Sequence, residues 1–159
     1  MCDIQRVGPA DEAALLNVLA AADRYRRDFT DHRTPEAWMQ SLLEEREIDA
    51  QRDVYLARIG SNAVAAVELV EEGGAMTIAQ LIVAEPFRFL GYGRRITEWV
   101  LAQGHDLITL GVATQNRGAV AFWESMGFYR TGKLGKGTQS LTLMERSAAG
   151  QSLHGLAAE

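Results

Sequence analysis

The sequence has 159 residues, 47% hydrophobic and 23% charged, with 16 Lys and Arg against 21 Asp and Glu for a formal net charge of −5. That composition excludes a disordered chain and is long enough to bury the core of one ordinary domain. A single cysteine, Cys2, and three scattered histidines, His32, His105 and His154, exclude a disulfide framework and argue against a structural metal, and the net acidity argues against a nucleic-acid partner.

The opening stretch MCDIQRVGPADE lacks the basic start and apolar run of a secretory signal. No apolar run approaches the ~20 residues that cross a bilayer. The expectation is a cytoplasmic protein with no membrane partner. Asp3 to Val7 reads as a short strand, and Pro9, Ala10 and Asp11 open a helix with Leu15, Leu16, Leu19 and Ala22 on one face. DRYRRDFTDHR follows, dense in charges of both signs, as the connection to a second helix. Thr34 caps that helix and Pro35 occupies its first turn, with Trp38, Leu42 and Leu43 at helical spacing.

Asp53 to Ile59 reads as a strand, Gly60 to Asn62 as a hairpin turn, and AVAAVELV as the return strand. After the turn EEGG, Met76 to Val83 is a third strand, apolar on both faces and therefore central. Gly91 to Gln103 is a helix, Leu107 to Val112 a strand and Asn116 to Met126 a helix carrying the stripe Ala119, Phe122, Trp123 and Met126. FYRTG and TQSLTLME are two last strands joined by KLGKG. The order is β-α-α-β-β-β-α-β-α-β-β, an α/β chain with a mixed sheet, predicted as one domain over 1–146 and a small, polar tail over 147–159.

The stretch FRFLGYGRRI, Phe87 to Ile96, lies at a strand-to-helix junction. A dinucleotide fingerprint needs a third glycine where Ile96 stands. Gly127 to Lys133 spells part of a P-loop, but Leu134 stands where a magnesium-binding hydroxyl belongs, and the segment follows a helix instead of opening one. A plain tight turn remains open. A helix N-terminus presents unpaired N–H groups and partial positive charge, glycines allow close approach, and Arg88, Arg94 and Arg95 add cations, so the chemistry suits an anion such as a phosphate.

RFLGYG resembles the Q/R-x-x-G-x-G/A signature of the GCN5-related N-acetyltransferases, the GNAT superfamily. NRGAVAFWESMGF, Asn116 to Phe128, resembles their downstream N-x-x-A-x-x-F-[aromatic]-x-x-x-G-F pattern, and the element order fits from Asp3 to Glu145. The resemblance implies a mixed central sheet of about seven strands with helices on both faces. It implies acetyl-CoA as acyl donor, no metal, and direct transfer of the acetyl group to the primary amine of a small molecule or peptide. It places the CoA pyrophosphate on Arg88, Phe89, Leu90, Gly91, Tyr92, Gly93, Arg94 and Arg95. Pantetheine would pair with the backbone of Leu81, Ile82 and Val83, with Asn116, Ala119, Phe122 and Trp123 alongside. The plain alternative for Phe122 and Trp123 is core packing.

The resemblance also implies the Val83 N–H as the donor to the oxyanion. Two departures stand out: Phe89 occupies a position where many relatives have glycine, and Trp123 one where many carry the tyrosine that protonates the departing thiolate. An indole cannot do so, which leaves Tyr129 as a candidate acid, or departure of the thiolate to water. Glu68, a carboxylate in an apolar strand, is the candidate base; its plain alternative is a solvent-facing side chain. Glu85 is a second candidate, beside Pro86, while Gln80 stands where some relatives have glutamate. A non-catalytic acyl-CoA sensor or assembly domain is the competing reading, a nucleotide module unrelated to CoA a further one, and a second copy of the chain is kept open as a partner.

Overall fold

The computed structural model describes residues 2–147. The expected tail, 147–159, therefore lies outside the described residues except for Ser147, which ends the last strand. Among the described residues the chain forms β1 (Asp3–Arg6), α1 (Glu12–Ala20), α2 (Asp23–Phe29), α3 (Pro35–Ile48), β2 (Arg52–Ile59), β3 (Asn62–Glu72) and β4 (Ala75–Val83). There follow α4 (Tyr92–Leu101), β5 (Leu107–Ala113), α5 (Arg117–Ser125), β6 (Tyr129–Leu134) and β7 (Leu141–Ser147). The seven strands hydrogen-bond in the order β1-β2-β3-β4-β5-β7-β6. The β4–β5 pair is parallel, while β1–β2, β2–β3, β5–β7 and β6–β7 are antiparallel, so the sheet is mixed.

Two compact units divide the chain, one of Met1–Val70 with Ala79–Trp99, the other of Glu71–Ile78 with the chain from Val100 onward. In the first, Val54, Leu56, Ala66 and Ile82 meet Leu15, Leu19, Trp38 and Leu42 of α1 and α3 in one buried cluster. The register pairs Leu56 with Ala66 and Val54 with Glu68, which sets Glu68 on the same face as that apolar row. In the second unit, Ile108, Leu110, Met126, Phe128 and Met144 are buried. The β4–β5 register runs from Ala75 opposite Leu107 to Ile78 opposite Leu110.

The charged connection expected after α1 is in fact a helix, α2. Asp23 in its first turn and Arg26 and Arg27 in its last complement the helix dipole, and Asp23 pairs with Arg26 and, at 3.2 Å, with Arg27. Its apolar signal is only one pair, Tyr25 and Phe29, with ring centroids 5.5 Å apart. Arg26 is buried and donates from Nη1 to the carbonyls of His32 (2.9 Å) and Arg33 (2.7 Å), holding the turn into α3. Thr34 caps α3 as expected, accepting from the Ala37 N–H at 3.0 Å. The last two strands lie further along the chain than expected, because Gly137–Gln139 forms a 3-10 turn before β7.

Candidate active site

The first unit carries a buried polar chain beneath α3. Trp38, fully buried, donates its indole N–H to Gln80 Oε1 at 3.1 Å. Gln80 donates its amide to Glu68 Oε1 at 3.2 Å, and Arg52 Nη1 lies 3.2 Å from Glu68 Oε2. Glu68 is 2% exposed, and its Oε2 has no hydrogen bond, so the Arg52 contact is electrostatic rather than directional. Burial pushes the Glu68 carboxyl above the ordinary carboxylate range, against the opposing pull of Arg52 and Gln80. The solvent-facing alternative for Glu68 therefore does not describe this strand. Arg52 also reaches Glu45 and Asp49, each at 3.7 Å, which share its charge.

The chain leaves β4 through Ala84, whose N–H donates to Val64 O at 2.9 Å, and through Glu85, whose N–H donates to Ala21 O at 2.9 Å. Val83, the last residue of β4, is thus followed by two anchored residues. Glu85 is exposed and its Oε1 accepts from the Arg24 N–H at 3.3 Å, on the surface beside α2. A 3-10 turn, Glu85–Phe87, leads into Arg88, Phe89, Leu90 and Gly91, all exposed. Gly91 has φ +89°, and the Arg95 N–H donates to its carbonyl at 3.1 Å to close the first turn of α4. The N–H groups of the residues between them have no partner within the helix. Ile96 and Thr97 are fully buried, and Thr97 Oγ1 donates to Gly93 O at 2.8 Å, so α4 is fixed by its inner face. Arg88, Arg94 and Arg95 pair with no carboxylate among the described residues.

In the second unit, Asn116 caps α5, its Oδ1 accepting from the Ala119 N–H at 3.2 Å. Trp123 is buried, edge-on to Phe122 at 4.9 Å and to Phe128 at 5.3 Å between ring centroids. Tyr129 donates its hydroxyl to Glu145 Oε1 at 2.9 Å, across the pair Tyr129–Glu145 in the β6–β7 register. Thr114 joins Ser140 (3.0 Å) and Thr142 (2.9 Å) in a hydroxyl cluster just ahead of Asn116. No group of three or more His, Cys, Asp or Glu side chains among the described residues could hold a metal ion.

The sequence marks Glu68 as an acid in an apolar strand and Gly91 as part of a turn, but not the partners of Glu68. Gln80 has no carboxylate to offer, yet its amide joins Glu68 to Trp38. No local pattern carries that information, because Trp38 and Gln80 are 42 residues apart.

The sequence matches the model described as the acetyltransferase (GNAT) family over residues 18–128. No curated protein matches it. Among solved structures, an acetyltransferase from Thermus thermophilus is similar with TM-score 0.77 at 24% identity, over 92% of this chain and 97% of its own. Spermidine N-acetyltransferase from Vibrio cholerae, solved with CoA and spermine, is similar with TM-score 0.73 at 18% identity, over 93% and 96%. A ribosomal-protein alanine N-acetyltransferase from Escherichia coli gives TM-score 0.73 at 16% identity, over 93% and 94%. At these identities the likeness is one of fold.

Proposed function

The chain belongs to the acetyltransferase (GNAT) family, and from that premise we propose that it moves an acetyl group from acetyl-CoA to a primary amine by direct attack. The observation that carries the reading is the turn ahead of α4. Left-handed Gly91, the open N–H groups of the first helical turn and three arginines with no carboxylate partner among the described residues together suit a pyrophosphate. Arg88, Phe89, Leu90, Gly91, Tyr92, Gly93, Arg94 and Arg95 would hold it, and Leu81, Ile82 and Val83 would pair with pantetheine. For Trp123, its burial between two rings favours packing.

Transfer needs a neutral amine, a polarised thioester carbonyl and a departing thiolate. The Val83 N–H would donate to the oxyanion as the carbonyl carbon becomes tetrahedral. Glu68 would take the ammonium proton, through a water given its depth. Its raised pKa and its oxygen without a hydrogen bond support that role. Tyr129, whose hydroxyl donates to Glu145 Oε1, would be the candidate acid for the departing CoA thiolate; the competing route is departure of the thiolate to water, at a thiol pKa of ~8.5. The acceptor is a small amine or a peptide amine.

The test is a panel of polyamines, amino acids and peptides with free N-termini or lysines. Each is incubated with acetyl-CoA and enzyme and read by mass spectrometry for the gain of one acetyl group. Acetylation of one acceptor class with stoichiometric thiol release supports the reading. CoA binding without transfer to any acceptor would instead favour a sensor, a reading to which the buried Trp123 in the usual tyrosine position lends weight.

A further inference from the structure

Phe89 is the one non-glycine residue with positive φ among those described, at +64°. A side chain in left-handed backbone is costly, and such conformations persist where the surroundings or a function require them. Burial does not offset the cost here, since Phe89 is 96% exposed. A relaxed backbone would need glycine, and solubility would favour a polar side chain. The chain has neither. The Arg88 guanidinium lies 5.2 Å from the centroid of the Phe89 ring. Arg95 lies over Tyr92 in the same way, at 5.8 Å. Strained backbone therefore holds an exposed aromatic ring beside cations that have no carboxylate partner among the described residues.

The geometry points to Phe89 as a stacking platform for the adenine of CoA, with Arg88 set to meet the phosphates of the same nucleotide. This rests on the CoA reading above and gives Phe89, whose backbone belongs to the pyrophosphate loop, a side-chain role that distinguishes the nucleotide end of the cofactor from its pantetheine end. A flat, uncharged heterocycle linked to phosphates matches what the loop presents: a π face for the ring and guanidinium groups for the anions. Removing an aromatic ring from under a stacked base costs roughly tenfold in affinity at an exposed site.

The experiment measures the Kd of CoA and of 4′-phosphopantetheine, which lacks the nucleoside, by calorimetry for the parent, Phe89→Asn and Phe89→Tyr. Asparagine tolerates left-handed backbone and so preserves the turn while removing the ring. The expected result is a roughly tenfold weaker CoA affinity in Phe89→Asn, an unchanged Kd for 4′-phosphopantetheine, and CoA affinity restored in Phe89→Tyr. Equal losses for both ligands would overturn the platform, since the ring would then act through the shape of the loop. So would a CoA affinity in Phe89→Asn within about twofold of the parent's, or failure of tyrosine to restore it. If the parent binds neither ligand, the CoA reading fails and takes the platform with it; if it binds CoA and only the Phe89 variants behave otherwise than expected, the platform alone fails.

Discussion

Replacing Gln80 by leucine isolates the buried polar chain, because one side chain serves two partners. Trp38 is fully buried, so its indole N–H would lose its acceptor with no water to replace it, at about 1–3 kcal/mol. Glu68 would lose the amide that donates to Oε1 while keeping Arg52 at 3.2 Å from Oε2. A hydrogen bond to a charged group contributes about 1.5–3 kcal/mol. The leucine returns part of this by apolar contact, so the net loss at neutral pH is about 2–4 kcal/mol. The loss depends on pH. Burial already holds the Glu68 carboxyl above the ordinary range, so its protonated form favours the folded state at low pH, and that contribution fades as pH rises through the folded value. Without Gln80 the carboxylate is worse served, and the deficit of Gln80→Leu grows with pH. Urea unfolding of parent and variant at about pH 5 and about pH 7.5 reads both quantities. A deficit below about 0.5 kcal/mol at both values, or one that shrinks as pH rises, would refute the account of Gln80 as the link that serves both Trp38 and Glu68.

Gly91→Val forces a β-branched residue into φ +89°, where the obstacle is the backbone and not space, since an added Cβ meets nothing within 4 Å. The Kd of acetyl-CoA should rise tenfold or more, roughly 1.4 kcal/mol, as read by calorimetry on the folded variant. CoA affinity should fall as salt rises if Arg88, Arg94 and Arg95 meet its phosphates; a flat dependence between low and high ionic strength would remove them from the site. Glu68→Gln should keep CoA affinity but lower kcat/KM at neutral pH, with the deficit shrinking at high pH as the amine deprotonates unaided, and a pH–rate profile overlaying the parent's would remove Glu68 from the mechanism.

What the sequence conveyed was local. Strands β2 to β4 stood out by their β-rich runs and turn glycines, and the helix cap Thr34 by its place before Pro35 and helical periodicity. The turn at Gly91 was legible because its two glycines stand close together at a strand-to-helix junction, whereas the left-handed backbone at Phe89 leaves no such mark. Glu68 was legible as an acid in an apolar strand, but its setting was not. Its partners Arg52 and Gln80 come from other strands, and the register that aligns them is a property of the whole sheet. Helix α2 was missed for the opposite reason. Its stability lies in charge pairs and in the carbonyls that Arg26 gathers, and neither leaves an apolar period.

The burial of Trp38 also makes it an optical reporter. Of the three tryptophans, Trp38 and Trp99 belong to the first compact unit and Trp123 to the second. Trp38 lies near-parallel to Tyr25 and His32, Trp123 is edge-on to Phe122 and Phe128, and Trp99 is edge-on to Tyr55. Indole emission shifts to longer wavelength when water reaches the ring. Trp123→Phe would leave the first unit as the sole source of tryptophan emission, and the paired change of Trp38 and Trp99 to phenylalanine would leave the second. Coincident transitions for the two variants would mark a single cooperative melt, and separated ones would show the units loosening in turn.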